Sequence, residues 1–293
     1  MQADRLAACQ NMPHSQGPLE VWKLDLITVD KSKCLKCGLC VADCPSCILD
    51  MGPEGPECHV DRGCMSCGHC VAICPAGAID NKYVPRAEMV PVPKSTWTAE
   101  DAYNFLRSRR SVRQFKPQAP SEEDLLKLLD VCRYAPTAGN SQGMYFTIIR
   151  NPGTIAAIRR AVADWMQAEV DAGTENKRYF KAVLHTYHEK HVDIITRNTP
   201  CLVFLSARRL NITGVSNSEQ TLAYAELYAP TVGLGTTIAG FVQACGIAGY
   251  PPLLDLVGIP AKQKLVGCMM VGYPRIRYQL MPERQHLKYE FKD

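Results

Sequence analysis

The sequence predicts an α+β protein built in two parts of unequal size. Three observations predict it. Eleven of the fifteen cysteines lie before Gly77. The segment from Val84-Pro85 to Pro91-Val92-Pro93 places three prolines within nine residues, which interrupts any regular element. Beyond it, apolar residues recur at both helical and strand spacing without a regular β-α-β alternation, so α+β is favoured over a doubly wound sheet. The chain has 293 residues, enough for a small module and a second core. The expected division is a tail over 1–22, a cysteine-rich domain over 23–90 and a larger domain over 91–293.

Composition narrows the function classes. Apolar residues make up 46% and charged residues 21%, which suits a folded globular chain. A net charge of +4, with no run of basic residues interleaved with aromatics, argues against a nucleic-acid partner. The stretch Met1 to Pro18 holds no apolar core of a signal peptide, and no segment has the apolar length of a membrane span. A cytoplasmic location is expected. There, cysteines read as metal ligands or buried thiols rather than disulfides.

The cysteine-rich domain contains an internal repeat. Cys34-x2-Cys37-x2-Cys40-x3-Cys44-Pro45 returns thirty residues later as Cys64-x2-Cys67-x2-Cys70-x3-Cys74-Pro75. Gly38, Val41 and Ala42 return as Gly68, Val71 and Ala72. A cubane cluster needs four thiolates converging from different directions. Three cysteines on a tight loop cap three irons, and a fourth must come from elsewhere. Zinc also uses C-x2-C pairs, but usually as two pairs rather than three cysteines at three-residue steps followed by Cys-Pro. The pattern resembles the bacterial two-4Fe–4S ferredoxin family. That resemblance implies one cluster on Cys34, Cys37, Cys40 and Cys74, and another on Cys64, Cys67, Cys70 and Cys44. Cys9, Cys47 and Cys58 are left over and read as packing or incidental residues, although Cys47 is near enough to Cys44 to leave a redox or alternative-ligand role open.

The larger domain opens on Thr98 and Asp101, a capping-box pair, with Ala102, Phe105 and Leu106 on the apolar face of the helix that follows. That helix runs into Arg109-Arg110-Ser111-Val112-Arg113-Gln114-Phe115. Ser121 with Glu122, Glu123 and Asp124 starts a second helix, with Leu125, Leu128, Leu129 and Cys132 on one face. Ala135 to Gln142 is a loop, Tyr145 to Ile149 a strand, and Asn151-Pro152 opens a helix carrying Ile155, Ile158, Val162 and Trp165. Cys201 to Ala207 and Leu265 to Val271 read as buried strands, and Leu222 to Gly246 mainly as buried helix with a glycine group inside it. Cys132, Cys201, Cys245 and Cys268 sit in apolar surroundings as small hydrophobes. His185, His188 and His191 share a predicted helix, but His188-Glu189-x-His191 falls one residue short of the zinc-protease spacing, and the charges around it suggest a solvated face. Gly233-x-Gly235 lacks the third glycine of a dinucleotide fingerprint.

Several guanidinium groups at a helix-to-loop transition suit a phosphate. Arg109-Arg110-Ser111-x-Arg113-x-Phe115, Ala135 to Gln142, Gly233-Leu234-Gly235-Thr236-Thr237-x3-Phe241 and Gly272-Tyr273-Pro274 occur in this order. From about residue 100 to the C-terminus the chain thereby resembles the flavin-dependent nitroreductase family. The resemblance implies a mixed sheet flanked by helices and an FMN-binding homodimer with the flavin at the subunit interface. Arg109, Arg110 and Arg113 would hold the phosphate and the pyrimidine edge, with Ser111 beside them. Pro136, Thr137, Ala138 and Asn140 match the loop supplied by the second subunit. Thr237, Ile238, Ala239 and Gly240 match the stretch along the ring near N5, and Arg284 the C-terminal phosphate contact. No side chain is expected to act as nucleophile. Gly143-Met144 stands where the family often has Pro-Trp, and Ala239 where some members carry an acid, which bears on substrate choice.

Joined on one chain, the two parts suggest an electron path: clusters, FMN, then an electron-poor acceptor such as a nitroaromatic, a quinone or an activated alkene. A ferredoxin or NAD(P)H is the expected donor. A relay serving a partner complex, or a ligand sensor, are the other readings left open.

Overall fold

The computed structural model describes residues 26–59 and 63–292. The expected tail over 1–22, Cys9 and the first residues of the 23–90 domain lie outside the described residues. The chain divides into two compact units at Ser95 and Thr96, with Gly139–Ser141 grouped with the first.

The first unit is built from two short antiparallel pairs. Strand β1 (Ile27–Val29) pairs with β4 (Ile79–Asn81), and β2 (Leu49–Gly52) with β3 (Gly55–Cys58). Two one-turn helices, α1 (Leu39–Ala42) and α2 (His69–Ala72), each follow a left-handed glycine, Gly38 with φ 74° and Gly68 with φ 72°. Only glycine adopts that conformation without steric cost. A Cβ at Gly68 would also meet Met89 Cε and Val84 Cγ1 at 2.9 Å. Leu26, Val41, Ile48, Leu49 and Ile79 form the core, and Cys44, Cys64, Cys70 and Cys74 pack against it. A core this small supplies little stability by itself, which is the situation in which small folds recruit a metal or other staple.

The second unit is a four-stranded sheet in the order β5 (Tyr145–Ile149), β6 (Cys201–Arg208), β8 (Gln263–Gly272), β7 (Gly235–Ile238). The resemblance implies a mixed sheet. Among the described residues every pairing is antiparallel, because β8 lies between β6 and β7 and runs against both. Strand β6 is buried on both faces, so its sequence is one apolar run and its residues alternate between two cores. Leu202 and Phe204 meet α5 (Pro152–Asp171), α6 (Lys177–His188), α8 (Gly240–Ile247) and α9 (Pro251–Val257). Val203 and Leu205 meet α4 (Glu122–Asp130) and α7 (Gly214–Tyr228).

Local signals place most of these helices. Before α3 (Ala99–Ser108), Thr98 Oγ1 accepts from Asp101 N at 3.1 Å, and Asp101 Oδ2 accepts from Thr98 N at 2.9 Å. Ser121 caps α4 at 3.0 Å, and Asn151 caps α5 at 3.0 Å with Pro152 in the first turn. Two expectations need correction. Leu222 to Gly246 is not one helix: α7 ends at Tyr228, Pro230 lies in a short 3-10 turn, Gly233 at φ 74° redirects the chain, and β7 precedes α8. The ladder to β8 overrides the local helical pattern. Helix α6 ends at His188, so His191, at φ 52°, lies beyond it.

Cys132, Cys201, Cys245 and Cys268 are buried in the two cores. Burial pushes the first three thiols up to about 12 and Cys268 well above the ordinary range. They are packing groups, not nucleophiles. Among the described residues no helix is long and apolar enough to cross a membrane.

Candidate functional site

In the first unit the eight repeat cysteines divide between two cavities. Cys34, Cys37, Cys40 and Cys74 line one, and Cys44, Cys64, Cys67 and Cys70 line the other. Each therefore takes three cysteines from one repeat and a fourth from the other. The one-turn helices explain the crossing. Cys40 and Cys70 lie on α1 and α2, and Cys44-Pro45 and Cys74-Pro75 leave those helices toward the neighbouring cavity. The two hold nearly equal atom-free space, about 340 and 360 Å³, part of it open to solvent.

Among the described residues no group of three or more His, Cys, Asp or Glu side chains is drawn together tightly enough for a single metal ion. Four thiols line each cavity. A donor set of soft sulfur only suits an iron–sulfur group. Burial raises the Cys40 thiol and pushes Cys70 up to about 11, a cost that bound cationic iron would reverse. At Cys74 burial acts the same way, but the N–H groups of Ala78, Ile79, Ala76 and Gly77 outweigh it and hold the thiol below its ordinary value. Ala78 N donates to Cys74 Sγ at 3.3 Å, and Asn81 Nδ2 donates to Cys64 Sγ at 3.8 Å. Cys47 stands apart from the eight. It is disulfide-bonded, an exception to the expectation that the cysteines are ligands or thiols, while the other thirteen described cysteines carry no disulfide. Its φ of 50° matches that of Gly77, at 61°, its counterpart in the second repeat.

In the second unit the arginine segment follows α3 and lies against β7. Val112 N donates to Thr236 O at 2.9 Å, and Phe115 forms a bridge with Pro274. Gly235 makes this approach possible: a Cβ there would stand 2.8 Å from Val112 Cγ2. Arg109 Nη1 donates to Ser111 Oγ at 3.3 Å and pairs with Glu226 Oε1 of α7 at 3.4 Å. Burial pushes the Glu226 carboxyl up, against the pull of Arg109 and Arg113. Arg110 Nη1 donates to the carbonyls of Arg107 at 2.9 Å and Arg109 at 2.6 Å. Its Nε is buried with no hydrogen-bond partner among the described residues. A buried, unsatisfied guanidinium donor calls for an acceptor. Arg113, Thr237, Ile238 and Gly240 line a cavity of about 450 Å³, a size suited to a small ligand. Of the expected arginine segment only Arg113 lines this cavity; Arg109, Arg110 and Ser111 do not. The chemistry of the segment, with its orphaned Arg110 donor, suits an anionic group. Ala239 is buried and its N–H is already given to Cys268 O at 2.9 Å, so that amide is not free to face a ligand.

Other expected residues lie apart. Pro136 and Ala138 are exposed, and Ala138 N donates to Asn217 Oδ1 at 3.0 Å. Thr137 lines a different groove, with Gln142, Met144 and Tyr228. Asn140 carries a φ of 50° in the short turn Ala138–Asn140. None of these four lines the Arg113 cavity. Arg284 does not reach it either. It sits in an exposed C-terminal stretch next to Glu283, which pairs with Arg107 at 3.4 Å. The cavity also includes Asn176, Tyr179 and Arg197, which sequence reasoning missed, and Phe241, which closes the Gly233 motif. A polar run, Thr196-Arg197-Asn198-Thr199 ahead of Pro200, was the available signal for Arg197. His188 and His191 line a separate groove with Arg159, Arg160 and Asp193.

Residues 106–273 match the Nitroreductase family, and residues 26–86 match a 4Fe-4S dicluster domain. An iodotyrosine deiodinase of Drosophila melanogaster is 22% identical over 191 residues, covering 60% of this chain and 63% of that protein. A curated protein of Archaeoglobus fulgidus is 35% identical over 52 residues, 18% of this chain and 30% of its own. The chain thus spans less than two thirds of either relative. Among solved structures, a nitroreductase with bound FMN from Bacteroides fragilis superposes with a TM-score of 0.52 at 18% identity, covering 64% of this chain and 95% of that one. A nitroreductase with bound FMN from Desulfitobacterium hafniense gives 0.52 at 15% identity, covering 64% and 96%. At these identities the likeness is one of fold.

Proposed function

The chain belongs to the nitroreductase family and carries a match to a 4Fe-4S dicluster domain ahead of that region, and from this premise we propose that it is an iron–sulfur flavoprotein oxidoreductase. In this reading it takes electrons from a ferredoxin-like or NAD(P)H donor and delivers them to an electron-poor small molecule: a nitroaromatic, a quinone or an activated alkene. Cys34, Cys37, Cys40 and Cys74 hold one 4Fe–4S cluster, and Cys44, Cys64, Cys67 and Cys70 the other. When bound, the clusters exchange single electrons and FMN collects two for delivery as a hydride.

The protein's own residues bind, orient and shield. Arg109, Arg110, Ser111 and Arg113 hold the anionic end of the flavin, with Arg110 Nε supplying a buried donor that has no other partner among the described residues. Thr237, Ile238 and Gly240 supply a wall of the cavity. Pro136, Thr137, Ala138 and Asn140 do not line that cavity in their own chain; in the homodimer this reading takes, a second copy brings the loop to the flavin. The observation that carries the reading is the pair of four-cysteine cavities on the chain of a nitroreductase-family protein.

The test is anaerobic purification, iron and flavin analysis, and reduction by a low-potential one-electron donor. Cys37→Ala should lose iron and abolish donor-driven flavin reduction while leaving direct reduction by dithionite. An unchanged donor-driven rate in Cys37→Ala would remove the electron path from the proposal.

A further inference from the structure

The flavin reading accounts for Arg113, Thr237, Ile238 and Gly240 in the 450 Å³ cavity and leaves the rest of the lining unassigned. Most of that remainder comes from α6 and the loop after it, including Tyr179, Phe180 and Arg197, and the rest from α8 and β8 as Phe241, Ala244 and Met270. Arg197 and Asn198 have φ of 56° and 48°, a left-handed backbone uncommon for residues other than glycine. Such strain persists only where the surroundings over-determine it, and it concentrates at ligand sites.

Asp193 does the determining. Its side chain is 5% exposed. Oδ1 accepts from Ile195 N at 3.1 Å and Thr196 N at 2.8 Å. Oδ2 accepts from Thr196 Oγ1 at 2.6 Å and Asn198 N at 2.7 Å, and pairs with Arg159 Nε at 3.0 Å. One buried carboxylate thus ties the loop on both sides of Arg197. Among the described residues the cavity lining carries two guanidinium groups, Arg113 and Arg197, and no carboxylate. It also carries aromatic surface, with the Tyr179 and Phe241 rings 5.7 Å apart.

We propose that the acceptor taken by this site is a planar molecule carrying an anionic group, such as an aromatic carboxylate, and that Arg197 is the residue that selects it. A guanidinium presents a forked pair of donors that matches a carboxylate, and aromatic rings receive the planar body. The inference rests on the flavoenzyme reading above. Reduction of such a nitroaromatic to the nitroso compound takes one hydride, two electrons and one hydrogen, from the reduced flavin and one proton from solvent, and releases one water.

The test uses the FMN-loaded, dithionite-reduced protein and two matched acceptors, 4-nitrobenzoate and its neutral methyl ester, with flavin reoxidation followed optically. Binding of both to the oxidised protein is measured by calorimetry. Wild type should favour the acid over the ester, and Arg197→Gln should shrink that preference, read as the ratio of acid to ester rates in FMN-loaded protein, by at least about tenfold. Arg197→Lys should restore part of it. Equal treatment of acid and ester by wild type overturns the inference. So does loss of FMN from Arg197→Gln, which would assign Arg197 to the cofactor. If FMN is held but neither compound reoxidises it, the oxidoreductase reading fails, while calorimetric preference for the acid still upholds the anion site.

Discussion

Replacing Gly235 with alanine probes the join between the arginine segment and β7. The new Cβ would lie 2.8 Å from Val112 Cγ2 and 2.9 Å from both Val112 Cβ and Cγ1. Rotation of Val112 moves its methyl groups but not its Cβ, so the backbone itself must yield. That backbone is held by the 2.9 Å bond from Val112 N to Thr236 O. Overpacking of this kind costs about 1–3 kcal/mol. For a chain of this size each kcal/mol lowers Tm by about 2–4 °C, giving an expected drop of roughly 2–12 °C. Because Arg109 to Arg113 ride on the displaced segment, FMN retention should weaken as well. The assays are scanning calorimetry and flavin release on dilution. Gly240→Ala is the stability control, since a Cβ there meets nothing within 4 Å. A Gly235→Ala protein with unaltered Tm and flavin retention would refute the reasoning.

Asn81 is 2% exposed, donates to Cys64 Sγ and accepts from Tyr83 N at 2.9 Å, while its repeat counterpart Met51 lines the other cavity. Asn81→Asp keeps the acceptor for Tyr83 but removes the donor to sulfur. It should lower the reduction potential of one cluster and leave the other alone, as read by an EPR-monitored redox titration; two unmoved potentials would dismiss the role. Burial raises the folded-state pKa of Glu226 above its ordinary 4.5. Its contribution to stability is therefore full below that value and is lost as pH rises through the folded pKa. Glu226→Gln should gain on wild type over that interval in urea midpoints, and parallel pH profiles would contradict the assignment. Cys132, Cys201, Cys245 and Cys268 should resist a thiol reagent in the native protein and react after unfolding, counted by mass spectrometry. Rapid native labelling at any of the four would show that its burial is wrong.

Much of the fold is legible where the signal is local. Caps at Thr98, Ser121 and Asn151 satisfy backbone N–H groups within three residues of themselves, so the sequence window contains both donor and acceptor. Strands β5, β6 and β8 read as runs of residues suited to burial, and the two buried in the middle of the sheet are the longest. Strand β7 is not legible. Its four residues are extended because they pair with β8, and the surrounding pattern reads as helix. The end of α6 at His188 escapes for a related reason: Asp193 and the turn it organises draw the chain away from the helical path.

The site divides in the same way. By itself the sequence determined the thirty-residue cysteine repeat, the arginine cluster and the order of the motifs, because each is a matter of residue type and spacing. The cysteine grouping that the repeat's resemblance implies reappears in the two cavities. Only the tertiary structure decided that Arg113 lines one cavity with Thr237 and Ile238 while Arg284 does not, and that Arg197 joins them. These residues come from segments far apart in the chain. Their meeting is set by the sheet register and by the turn that Asp193 organises, which no local pattern of residues encodes.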